Sequence, residues 1–453
     1  MGQKELKSDR GTIVAVSTPH GMGGIAVIRM SGPESVSILK KVWKGRNPEL
    51  FDSHTAHLGW ILDSDGQPFD QVVATIFKGP NSYTGEDVFE LSCHGSVWIQ
   101  REIVHRLVEE GATAAGPGEF TLRAFHNGRI DLAQADGIAD LISSTSKAAA
   151  RIASSQMRGR FSEKLEKMRR QLVDLGVLLE LELDFSEEDV EFADRSKLIS
   201  LSEELLKMIR RLAVSFKSGN AFKHGVPVAI AGVPNSGKST LLNALLGEER
   251  AIVSEIPGTT RDVIEDTVEI NGILFRFIDT AGIRETSDVV EKIGVERALE
   301  KMNRAAIVLY VIDPTQDEAP QLEQLQCTEN LQGEILKIIS KGDILGESTS
   351  QGLKISAKTG EGIDELKDTL TAIATKDFNP EQEIIITNAR HYEALKKAEA
   401  PLERLLEGLR TGLTADFLAQ ELREADGYLG EITGAVTSDE ILHTIFRNYC
   451  IGK

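Results

Sequence analysis

Between the apolar run Val228–Ala231 and the helical run Leu241–Leu246 stands the octapeptide Gly232-Val-Pro-Asn-Ser-Gly237-Lys238-Ser239. Strand, glycine-rich turn and helix in that order are the context a phosphate-cradling loop requires. The glycines let backbone amides, including those of Asn235, Ser236 and Gly237, wrap the phosphates, and the helix N-terminus adds the positive end of its dipole. Lys238 neutralises the β and γ oxygens, a role that extends to the charge of the reacting group. Ser239, with Thr240 beside it in the first helical turn, brings a hydroxyl to Mg²⁺.

Farther along, Asp279-Thr-Ala-Gly282 closes the apolar strand Ile273–Ile278, placing a carboxylate beside the metal and a glycine amide near the γ-phosphate. Thr259 and Thr260, in Pro-Gly-Thr-Thr-Arg-Asp, offer the hydroxyl that closes on Mg²⁺ only while the γ-phosphate is present. Ser340-Lys341-Gly342-Asp343 follows the strand Ile335–Ile339, where a guanine-binding enzyme usually shows Asn-Lys-x-Asp. Asp343 accepts from guanine N1–H and the 2-amino group. Adenine would leave that carboxylate unpaired, a mismatch worth roughly four orders of magnitude. Ser340 in place of Asn removes one base contact and a brace to the phosphate loop, so a reduced affinity is expected. Ser356-Ala357-Lys358, after Lys354-Ile355, supplies a backbone contact to the base. Singly, Thr-Thr is a turn and Ser-Ala-Lys signals nothing; in this order the set reads as a guanine-nucleotide site.

Ras-like enzymes orient the attacking water with a Gln directly after Asp-x-x-Gly. Here Ile283 holds that position and cannot do so, so hydrolysis must borrow a group. Arg284, Glu285, Asp288 and Glu291 are the polar residues nearby, and each reads equally well as a charge that solvates a loop.

These residues must be carried by more than one domain, because 453 residues exceed one compact core. The 41% hydrophobic and 27% charged content is that of an ordinary globular chain. The longest apolar run, Ala305–Ile312, is far short of the roughly 20 residues that span a bilayer. The N-terminus has no apolar signal core, and Cys93, Cys327 and Cys450 show no metal-ligand spacing, so a cytoplasmic, reducing address is expected. A net charge of −19 repels polyanions, so contact with nucleic acid requires a local basic patch or a partner protein.

Periodicity divides the chain. Residues 1–127 alternate short β-rich runs with Gly, Pro and Asn clusters, as an α+β domain does. Residues 128–222 carry long helical patterns, with Leu172, Leu175, Leu179 and Leu183 on one face. Residues 223–380 alternate strands and helices as a doubly wound α/β domain. Residues 381–453 return to the helical texture, with Leu402, Leu405, Leu406 and Leu409 on one face. The α/β domain is therefore expected to be inserted into a discontinuous helical domain.

The phosphate loop GVPNSGKS, AIVSEIPGTTRDVIE, DTAGIRETSDVVEKIGVERA, the flanks GGIAVIRMSG, GPNSYTGEDVFELSCHG, PGEFTLRAFHNGRIDLAQADGIADLI and EITGAVTSDEILHTIF, and the final Cys-Ile-Gly-Lys together resemble the MnmE (TrmE) family of tRNA-modification GTPases over nearly the whole chain. The resemblance implies a homodimer with an N-terminal folate-binding and dimerisation domain, a split helical domain and an inserted Ras-like P-loop GTPase domain. It implies that paired GTPase domains use K⁺ held by Asn235, Ser254, Ile256 and Thr259, with Glu291 orienting water, which answers the lack of a Gln at Ile283. It also implies the FAD-dependent partner MnmG (GidA), in a heterotetramer or larger complex, and a tRNA whose wobble uridine receives a carboxymethylaminomethyl or aminomethyl group at carbon 5. The one-carbon donor is 5,10-methylene- or 5-formyl-tetrahydrofolate, and Arg29, Glu90 and Arg129 match the family's folate contacts. Read without the family, Arg29 and Glu90 are structural charges. Lys453 would touch the ligand, and Cys450 is either a catalytic thiol or a small apolar side chain.

A regulatory or ribosome-assembly GTPase that binds RNA would share the nucleotide motifs. It predicts a basic module after residue 380, where this chain continues as helix.

Overall fold

The computed structural model describes residues 11–184, 195–247, 266–278, 302–317, 319–321, 333–344, 351–380, 382–436, 442, 445–447, 449 and 452. The chain forms two compact units, residues 1–135 with 433–453 and residues 136–432.

The first unit holds strands β1 (Ile13–Val16), β2 (Ile25–Ser31), β3 (Trp43–Lys44), β4 (Thr55–Leu62), β5 (Pro68–Phe77), β6 (Val88–His94) and β7 (Thr113–Ala114), in the order β3-β4-β5-β6-β2-β1-β7. Helices α1 (Ser35–Val42), α2 (Val97–Glu109) and α3 (Glu119–His126) complete it, with the start of α4 (Leu132–Ser143). Alternation decides which side chains are inside: Ala26, Ile28 and Met30 of β2 and Val72, Ala74 and Ile76 of β5 are buried, and pack with Ile38, Leu39, Ile103 and Leu107 of α1 and α2. From the far end of the chain, Leu442 and Phe446 join Leu132 and Ala135 in a smaller cluster.

The second unit contains α5 (Lys147–Met157), α6 (Arg160–Asp184) and α7 (Arg195–His224), then the second sheet, then α10 (Ala389–Thr411) and α11 (Ala415–Thr433). In α6, Phe161, Leu165, Met168, Leu172, Leu175 and Leu179 are buried at spacings of three and four, the stripe expected of a helix facing a core.

The second sheet runs β13-β12-β11-β8-β10-β9. Its strands are β8 (Val226–Ala231), β9 (Asp266–Ile270), β10 (Ile273–Phe277), β11 (Ile307–Ile312), β12 (Glu334–Ile339) and β13 (Leu353–Lys354), flanked by α8 (Lys238–Leu246) and α9 (Ile363–Thr375). All neighbours pair in parallel except β9, which turns back against β10. All six residues of β11 are buried, as a central parallel strand covered on both faces must be. The multidomain reading holds: an α+β unit, helices, and a P-loop α/β domain entered from α7 and left towards α10. Among the described residues no helix is long and apolar enough to cross a membrane.

Ala148 and Ile152 of α5 and Phe222 of α7 share one core with Val226, Phe275, Leu309 and Leu366 of the α/β part. The segment that returns from the α/β part lies directly on α7: Ile386 N–H donates to Ser215 Oγ at 3.1 Å, and a β-carbon on Gly219 would stand 2.0 Å from the Ile386 carbonyl oxygen.

Candidate functional site

The C-terminal ends of parallel strands open on one edge of a sheet, where successive loops converge. At that edge β8 leads into the loop 232–237. Gly232 has φ +139, and a β-carbon there would lie 2.3 Å from the Val311 carbonyl oxygen, so only glycine fits. Asn235 is held in the left-handed region at φ 62, and Gly237, at φ 97, is the N-cap of α8. Lys238 opens that helix, with Ser239 and Thr240 following in its first turn. Lys238 Nζ donates to the carbonyls of Gly232 and Val233 at 2.9 and 2.7 Å, and burial pushes its pKa below the ordinary lysine value.

The residues expected to recognise the base stand at the same edge. Ser340, at the end of β12, is buried, and its β-carbon lies 3.7 Å from where one on Gly237 would be. Lys341 is left-handed at φ 58, and its Nζ reaches Asp313 Oδ2 at 2.6 Å. Asp343 is oriented by Ser356, whose Oγ donates to Asp343 Oδ1 at 2.8 Å; the Thr359 N–H donates to the same Oγ at 3.3 Å. Ala357 and Lys358 form the turn that follows Ser356. The structure thus brings together Asn235 to Thr240, Ser340, Lys341, Asp343 and Ser356 to Lys358. Ser254, Ile256, Thr259, Thr260, Asp279, Gly282 and Glu291 lie outside the described residues.

In the first unit, Arg29 of β2 and Glu90 of β6 are direct cross-strand partners. Arg29 Nε and Nη2 both donate to Glu90 Oε1, at 3.0 and 2.7 Å, and Nη1 reaches the Gly452 carbonyl at 3.4 Å. Ser17 Oγ donates to that carbonyl at 3.0 Å. The guanidinium also lies 5.1 Å from the Tyr83 ring centroid and 5.7 Å from that of Phe120. The tail and the Arg29–Glu90 pair therefore meet, although Cys450 and Lys453 themselves lie outside the described residues. Arg129 follows α3 as an exposed residue, its stem beside Gly85.

A model of the MnmE helical domain matches residues 132–450, and one of the GTP-binding protein TrmE N-terminus matches residues 12–129. The chain is 48% identical to the tRNA modification GTPase MnmE of Flavobacterium johnsoniae, covering 98% of this chain and 99% of that protein. It is 47% identical to the one from Cytophaga hutchinsonii, over 98% of each.

The chain belongs to the MnmE family of tRNA modification GTPases.

The G domain of the T. maritima FeoB iron transporter aligns with 27% identity over 33% of this MnmE-family chain and 99% of its own, with a TM-score of 0.25.

Sequence reading passed over Asp313 and its partners. Asp313, directly after β11, is fully buried; its backbone N–H donates to Gln321 Oε1, and its carbonyl accepts from Gln321 Nε2. Burial pushes its carboxyl up, but donors from Lys341, Thr315 and Gln316 outweigh it and hold the pKa at about 2. The one sequence signal was a carboxylate directly after the most apolar strand. In the first unit, Arg123 is 4% exposed and pairs with Glu86 and Glu119 at 3.1 and 3.0 Å. Its stretch, PGEFTLRAFHNGRID, reads only as part of a family motif, with no role for the arginine itself.

Proposed function

We infer that this chain binds and hydrolyses GTP and acts in tRNA modification. The observation that carries the reading is the Ser356–Asp343 hydrogen bond at the sheet edge that also carries the phosphate loop. It holds a carboxylate acceptor where a guanine would present N1–H and its 2-amino group, while Lys238 and the α8 N-terminus would meet the phosphates.

The sequence supplies residues of the right types for the further groups of this reading. Ser239 in the first turn of α8, with Thr260, would hold Mg²⁺, which neutralises charge on the phosphate oxygens. Asn235, Ser254, Ile256 and Thr259 would hold K⁺, which supplies positive charge where other GTPases use arginine. Glu291 would orient the attacking water. Gly282 would donate its amide to the γ-phosphate, and Asp279 would take its place beside the metal. Around Arg29, a carboxylate oxygen of Glu90, two aromatic rings and the chain's own tail offer the mixture of donor, acceptor and flat apolar surface that a reduced folate needs. Cys450, Lys453 and Arg129 would complete that proposed site. A homodimer, a flavoprotein partner of the MnmG kind and tRNA are the partners, in the cytoplasm.

The test is GTP turnover in KCl against NaCl at matched ionic strength, with light scattering to follow association. Strong stimulation by K⁺ together with association is expected. Equal rates in both salts would remove Asn235 from metal binding and favour the regulatory GTPase, a reading that equilibrium binding of a reduced folate also tests.

A further inference from the structure

Ser340 is too short to brace the phosphate loop. Its Oγ stands beside Gly237 but donates to the Ile312 carbonyl, at 3.1 Å, and not to a loop atom. On the loop side, Ser236 Oγ is buried with no hydrogen-bond partner among the described residues. The tie between the base-recognition side of the site and the phosphate loop comes from another residue. Gln316, in the turn after β11, donates from Nε2 to the Pro234 carbonyl at 3.3 Å and to Asp313 Oδ2 at 2.8 Å. Asp313 Oδ2 also accepts from Lys341 Nζ at 2.6 Å. A continuous path therefore runs from the base-recognition loop through Lys341, Asp313 and Gln316 to the phosphate loop.

The peptide between Pro234 and Asn235 is trans. In a trans peptide the C=O and the following N–H point in opposite directions. Holding the Pro234 oxygen on the Gln316 side fixes the Asn235 N–H towards the opposite side of the loop. Asn235 is also the loop's left-handed non-glycine residue, a conformation that persists only where its surroundings determine it.

We propose that Gln316 is a positioning residue for the phosphate loop, replacing the brace that an asparagine at position 340 would make. The inference rests on the reading of this edge as the nucleotide site. Gln316 is exposed, so its contribution is that of one ordinary hydrogen bond rather than of a buried network.

The experiment measures release of a fluorescent GDP analogue from the full chain by stopped flow, in the wild type, Gln316→Ala, Ser340→Asn and the double variant. Gln316→Ala is expected to speed release by about 5-fold, the worth of a typical net hydrogen bond. Ser340→Asn in that background is expected to recover most of the loss, because an amide at position 340 reaches the loop on its own. Unchanged release in Gln316→Ala overturns the proposal. So does a loss that Ser340→Asn does not recover, since Gln316 would then act through folding of its own turn. Failure of the wild type to bind the analogue would instead overturn the nucleotide-site reading itself.

Discussion

At the residue scale, the proposed recognition of guanine rests on hydrogen-bond direction. Asp343 can only accept, and Ser356 spends its hydroxyl proton on keeping that acceptor in place. Asp343→Asn replaces one acceptor oxygen with a donor, so GTP affinity should fall by about 100-fold or more, and xanthosine triphosphate, with a carbonyl at position 2, should become the better ligand. Competition binding with the two nucleotides checks this. Ser356→Ala leaves the carboxylate in place but unaligned, and about a 5-fold weakening is expected in the same assay. That Asp343 and Ser356 follow strands at one sheet edge was legible because motif spacing places them. Asp313 and Gln316 were not, since an Asp after a strand and a Gln in a turn are common, and only folding shows that they share Oδ2.

At the element scale, α10 is anchored by a buried ionic cluster. Asp136 of α4 accepts from Arg390 and His391 at 2.7 and 2.9 Å. Burial would raise the Asp136 pKa, but the His391 hydrogen bond and the Arg390 charge outweigh it and hold it at about 2. His391 is fully enclosed, and burial pushes its pKa below the ordinary value despite Asp136. His391 is therefore neutral at pH 7, and Arg390 supplies the charge that matches Asp136. Both groups bind protons more readily when unfolded, near pH 6.5 for the histidine and 3.9 for the aspartate. Stability is thus full at neutral pH, declines below about 6.5 as unfolded histidine charges, and declines again between about 4 and 2. Protection factors for amide exchange over residues 389–395, taken relative to the intrinsic rate at each pH, should fall from pH 7 to pH 5, and Asp136→Asn should lower them already at pH 7. A second element-scale test is Gly219→Ala. With 2.0 Å between the added carbon and the Ile386 oxygen, α7 and the returning segment must separate, and a lower melting temperature by circular dichroism is expected.

At the scale of the whole molecule, the α/β part does not own its core. Phe222, 1% exposed, belongs to the helical segment yet packs among sheet residues. Phe222→Ala should cost about 3–5 kcal/mol. All three tryptophans, Trp43, Trp60 and Trp98, lie in the other compact unit. The variant's main circular-dichroism transition should therefore move down in temperature while the tryptophan-fluorescence transition stays in place. A common shift of both would mean that the two units unfold together.

By itself the sequence determined the strand–loop–helix order around Gly232–Ser239, the carboxylate at Asp343 and the insertion of an α/β domain into helices. Each of these follows from local rules: backbone freedom at glycine, donor and acceptor type, and periodicity along the chain. Tertiary structure alone decided that residues from opposite ends of the chain meet, as Arg29 and Gly452 do. It decided likewise that Gln316 reaches Pro234, and that Phe222 completes a sheet's core. Such contacts depend on which surfaces pack together, and no local pattern encodes the distance between residues far apart in the chain.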